Sequence, residues 1–123
     1  MSNQQSLLNV FTTQLTNFID DIILLWPEDN DFKVFKNGVL LLKKTNPRKI
    51  VNLFKSYVSK YETYINNRDE KFFLDNDYNE LEKTENILES MDKLKKYWKT
   101  LNDVNKEKVW KYFEILLKLS KMI

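Results

Sequence analysis

The chain has no cysteine and no histidine, and its 123 residues include one glycine and two prolines. Without cysteine there are no disulfides and no thiol chemistry, and without histidine there is no imidazole acid or base. Together these absences remove the common zinc sites. The single glycine, Gly38, rules out a glycine-rich phosphate cradle. Sandwiches and barrels depend on frequent Gly and Pro turns, so an all-β fold is disfavoured. The longest apolar run, Ile22-Ile23-Leu24-Leu25-Trp26, falls far short of the roughly 20 residues of a membrane span. Met1 to Gln5 lack the basic opening of a secretory signal, so the expected location is intracellular, in the cytoplasm.

The composition is that of a globular domain: 42% hydrophobic, 31% charged and 14% aromatic. A chain of this length builds one core, so residues 1–123 read as a single domain. The net charge of +2 conceals a pattern. Residues 1–30 carry four acids and no base, and residues 31–60 carry eight bases and one acid. Residues 61–90 carry nine acids and three bases, and residues 91–123 carry nine bases and four acids. Alternating blocks of this kind let antiparallel neighbours face each other with opposite sign.

Apolar residues recur at helical spacing in five stretches. Leu8, Phe11, Leu15, Phe18, Ile19, Ile22 and Leu25 predict a first helix from about Ser6 to Leu25, stopped by Pro27. Glu28-Asp29-Asn30 supply capping chemistry for a second helix, about Asp31 to Lys44, with Phe32, Phe35, Val39 and Leu42 on one face. Gly38 inside it predicts a close helix–helix approach. Asn46-Pro47 is a strong start signal for a third helix reaching about Ile65. Residues 66–79 read as a connection with at most one turn near Asp69 to Phe73. A fourth helix is expected from about Glu80 or Thr84 to Leu101. The fifth is expected to be capped by Asn105, with Val104 and Val109 as a hydrophobic staple, and to bury Val109, Phe113, Leu116 and Ser120. The fold class is all-α, a single compact bundle of about five helices.

No arrangement of residues points to catalysis. Asp75-x-Asp77-x-Asn79 matches the opening of an EF-hand loop, but Glu80 stands at its glycine position and Asn86 where its bidentate glutamate belongs. The sequence implies no metal, no cofactor and no enzyme. Two surfaces invite binding instead. Phe72-Phe73-Leu74 is an apolar triplet in an acidic segment and belongs to no helical stripe; it either caps the end of the bundle or meets a partner. Trp26, just before Pro27, poses the same question. The second surface is basic. Lys43, Lys44, Arg48 and Lys49 flank the Asn46-Pro47 corner, where free amides and cations favour an anion. Lys95, Lys96 and Lys99 belong to the second basic block. The leading expectation is a non-enzymatic protein-interaction or structural module, with a protein partner or self-association. The alternative is weak, sequence-independent nucleic-acid contact, since Arg48 and Arg68 alone offer the arginine fork that reads bases.

Three stretches carry a resemblance: Trp26-Pro27-Glu28-Asp29-Asn30-Asp31-Phe32, Leu41-Leu42-Lys43-Lys44-Thr45-Asn46-Pro47-Arg48-Lys49, and Asp69-Glu70-Lys71-Phe72-Phe73-Leu74-Asp75-Asn76-Asp77-Tyr78. Together they resemble small helical proteins encoded by nucleocytoplasmic large DNA viruses of algae and protists. The resemblance implies a viral protein made in the host cytoplasm or packaged in the virion, and it carries over no catalytic residue and no ligand.

Overall fold

The computed structural model describes residues 2–74 and 93–123, and within them the chain is helical with no strand. Helix α1 is Ser2–Leu25, α2 is Asn30–Thr45 and α3 is Pro47–Val58. A 3₁₀ turn, Ser59–Tyr61, leads into the short α4, Glu62–Asn66, and then the single turn α5, Lys71–Leu74. Residues 93–98 are helical and are called α6, and α7 is Asp103–Met122. The bundle is centred on α1, which packs against α2, α3 and α7. Asp75 to Asn79, Glu80 and Asn86 lie outside the described residues, as does the start of the predicted fourth helix.

Local chemistry sets the corners. The Asp29 carboxylate accepts from the amide of Asp31 and opens α2. Asn46 serves both helices at its corner: its own amide donates to Leu42 O at 2.7 Å, closing α2, while its side chain accepts from Lys49 N at 3.3 Å, with Pro47 in the first turn of α3.

Two apolar clusters form the core. Phe18, Ile22, Phe32, Ile65, Phe72, Leu94, Trp98 and Phe113 belong to one; Leu8, Phe11, Ile19, Val39, Ile50, Val51 and Leu116 belong to the other. Leu15, Ile23 and Phe54 pack against both and join them. Aromatic edges knit the first cluster, with Trp98 on Trp110 at 5.2 Å and Phe72 on Phe113 at 5.4 Å between ring centroids.

Four expectations need correction. Gly38 makes no close helix approach: nothing lies within 4 Å of where its Cβ would stand, and it faces outward. The third helix does not run unbroken to Ile65. It tightens at Ser59–Tyr61 with no side-chain cap, and the tertiary gain is Tyr61 against Phe72 and Ile65 in the core. The final helix begins earlier than expected. Asn102 is the cap, accepting from Asn105 N at 2.9 Å, and Val104 stands in solvent rather than in a staple. Asp103 then occupies the first turn, where negative charge suits the dipole. Lastly, Phe72 is fully buried, so it caps the bundle and presents no surface to a partner.

Candidate functional site

The Trp26-Pro27 turn between α1 and α2 meets α6 in the most elaborate polar constellation of the described residues. The Asp29 side chain is only 7% exposed, and its Oδ1 accepts from Lys93 Nζ at 2.8 Å and from Asp31 N at 3.1 Å. Its Oδ2 accepts from the Tyr97 hydroxyl at 2.7 Å. Lys93 also pairs with Asp31. The Tyr97 ring stacks on Trp26 at 4.4 Å with 17° between planes. An open cleft of about 630 Å³ runs beside this stack, lined by Leu25, Trp26, Pro27, Asp31, Lys93 and Tyr97 among others.

Hydrogen bonds decide the electrostatics here. The Lys93 ammonium holds the Asp29 carboxyl below its usual range and outweighs burial, which pulls the other way. Lys93 is in turn raised by its bonds to Asp29 and Asp31, and Tyr97 is raised by donating to Asp29. A carboxylate that accepts three hydrogen bonds, two on Oδ1 and one on Oδ2, clamps α2 to α6. Trp26, expected as a partner contact, is half-buried as the aromatic floor of this clamp.

Opposite charges meet elsewhere as the block pattern predicts. Asp20 pairs with Lys36 at 2.6 Å, Glu70 with Lys106 at 3.0 Å, and Glu62 with Lys121. Arg68 runs the pattern in reverse. It sits at φ 51°, just past α4, and its guanidinium donates to both oxygens of Glu107 at 2.8 Å and also to Glu114 on α7. Glu107 is held below its usual range chiefly by that bond. Of the two arginine forks in the sequence, that of Arg68 is therefore occupied. The Tyr112 hydroxyl donates to Asp21 at 2.6 Å, and burial, helped by that contact, pushes it up to about 12.

The basic residues fall in two separate places. Lys43 and Lys44 lie in the last turn of α2 and Arg48 and Lys49 in the first turn of α3, all at one corner. Lys44, Arg48 and Lys49 are exposed, and the Asn46 side chain takes up the Lys49 amide. Lys96 and Lys99 are exposed and Lys95 half-buried on or just beyond α6, which Lys93 ties to the opposite end of α2. The first group stands at the end of α2 and the second is anchored near its start, and 16 residues of helix span roughly 24 Å. Of the apolar triplet, Phe72 is core, and the side chains of Phe73 and Leu74 lie outside the described residues.

A different surface emerges that the sequence reading passed over. Leu24, Leu41, Val104 and Met122 are 60 to 78% exposed. On α2, Val34, Gly38, Leu41 and Thr45 follow one another at spacings of four and three and are all exposed. On α7 the same spacing joins Val104, Lys108, Lys111, Ile115, Lys118 and Met122, again all exposed. On α7 the line runs opposite the core stripe, and on α2 it lies away from buried Phe32 and Val39 and borders the Phe35 and Leu42 edge of that stripe. The signal was present in the sequence as a second periodicity, hidden behind the stronger apolar stripe of the core.

No family model, curated protein or solved structure matches the chain. No helix among the described residues is long and apolar enough to cross a membrane.

Proposed function

We propose that the chain is a non-enzymatic module that binds another protein through the outward faces of its helices. The observation that carries this reading is the second apolar line on α2 and α7: Val34 and Leu41 on the one, Val104, Ile115 and Met122 on the other, each standing in solvent. Scattered apolar residues are ordinary on a surface, whereas apolar residues aligned along a helix outside its core stripe form a contact strip. Gly38 in the middle of the α2 line has nothing within 4 Å of its Cβ position, which leaves room there for a partner. The polar groups of the α1–α2 corner and of the Arg68 cluster bond to one another, which suits architecture. The resemblance to viral proteins supplies a setting, an assembly or virion-associated role in an infected cell.

Nucleic-acid contact is the second reading. It is favoured by the exposed Arg48, Lys49, Lys96 and Lys99, and weakened by the separation of the two basic groups and by the engaged Arg68.

The test places a photo-crosslinking amino acid at Leu24, Leu41, Val104 or Met122 in turn, with buried Phe113 as control, in extracts of cells that produce the protein. Discrete adducts, saturable and competed by unlabelled protein, are expected at one or more of the exposed positions. Adducts with nucleic acid alone, or none that saturate, would overturn the reading.

A further inference from the structure

We infer that the outward face of α7 docks an acidic amphipathic helix of a partner protein. This rests on the interaction reading above and names the partner's chemistry. Val104, Lys108, Lys111, Ile115, Lys118 and Met122 make a continuous strip about 27 Å long, given roughly 1.5 Å per residue. Three apolar residues are interspersed with three lysines, and the strip contains no carboxylate. Its spacing of four and three is that of a coiled-coil seam, where each side chain inserts between residues of a facing helix. The two carboxylates on the adjoining flank, Glu107 and Glu114, are held by Arg68, and of the strip's lysines Lys111 alone is close enough to act on Glu107. Among the described residues, Lys108 and Lys118 have no ion-pair partner, and both are exposed.

The same charges oppose pairing of this strip with the same strip of a second copy. A parallel pairing sets each lysine against itself. An antiparallel pairing that matches Val104 with Met122 sets Lys108 against Lys118. Like charges facing each other in a seam oppose association. The complement is a helix with apolar residues opposite Val104, Ile115 and Met122 and glutamate or aspartate opposite the lysines. Nucleic acid satisfies the lysines alone and leaves the three apolar side chains, none of them aromatic, without a contact.

The experiment titrates the full chain with a designed helical peptide that carries a leucine seam rimmed by glutamates. Comparison probes are a scrambled peptide of equal charge and a mixed-sequence DNA duplex, all at near-physiological salt. The amphipathic peptide is expected to bind at least 10-fold tighter than the scrambled one, with hydrogen-exchange protection confined to residues 104–122. Replacing the three lysines together (K108E, K111E, K118E) should cut this affinity at least 10-fold and confer binding to a lysine-rimmed counterpart peptide. V104S with I115S should weaken it several-fold, and thermal midpoints near the parent's show that these exposed changes leave the fold intact. Equal binding of the scrambled peptide or the duplex, or affinity unmoved by the lysine reversals, would overturn the inference. Crosslinks forming at Leu24 or Leu41 while the acidic peptide fails to bind would sink this inference and leave the broader reading standing.

Discussion

One carboxylate, that of Asp29, joins the start of α2 to Lys93 and Tyr97 on α6. Asp29→Ala removes a helix cap and leaves the Tyr97 hydroxyl without its acceptor, so denaturation should show a loss of roughly 2–3 kcal/mol. Asp29→Asn keeps the capping oxygen and should cost clearly less. The pH dependence has a definite sign. Asp29 titrates lower in the folded chain than its unfolded value of 3.8, so its contribution is present above that pH and fades as acid carries it through the lower folded value. The acid limb of stability should flatten in Asp29→Asn, and an unaltered limb would show that the clamp contributes nothing. The capping role of Asp29 was legible, because Asp followed by a helical pattern is a local signal. Its partner Lys93 is 64 positions away, and no local pattern announces such a pairing. Arg68 escaped in part for the same reason: its left-handed backbone closes α4 locally, with Arg68 N donating to Ile65 O and Asp69 N to Tyr64 O, but its grip on Glu107 and Glu114 of α7 is long-range.

At the scale of the elements, caps and stripes were the readable features. Pro27, Asp29 and Asn46-Pro47 punctuate the first three helices as expected, and the buried face of α7 holds Val109, Phe113, Leu116 and Ser120. What failed were choices between neighbouring signals. Asn102 and Asn105 both suit a cap, and the earlier one wins because Asp103 then falls in the first turn. Asn102→Ala should therefore cost about 1 kcal/mol, while Asn105→Ala changes stability by only a few tenths. The reverse ranking would contradict the observed cap. Gly38 offers a second check. With nothing near its Cβ position and no positive φ, Gly38→Ala should stabilise the chain by about 0.5–1 kcal/mol and raise its thermal midpoint. Destabilisation would mean that the backbone or packing at that site is misread.

For the whole molecule, the alternating charge blocks act as a folding code read in pairs. The first block meets the second through Asp20 and Lys36 and the fourth through Asp29 and Lys93, while the third meets the fourth through Glu62, Glu70 and Arg68. Exposed pairs of this kind add little stability each, so the core must hold the fold. Phe72 joins the short α5 to Tyr61, Trp110 and Phe113, and Phe72→Ala should cost about 3–5 kcal/mol by calorimetry or denaturant titration. Its burial was open in the sequence because a short apolar triplet has no periodicity to assign it a side. The outward strips were equally obscured, since exposure depends on which helix faces the core. The central claim is that these strips serve a protein partner rather than nucleic acid. The most direct measurement is solution mass by light scattering near physiological salt, with and without a mixed DNA and RNA oligonucleotide. The account predicts a monomer of 14.9 kDa whose mass the oligonucleotide leaves unchanged. A gain in mass with oligonucleotide, lost at high salt, would contradict it.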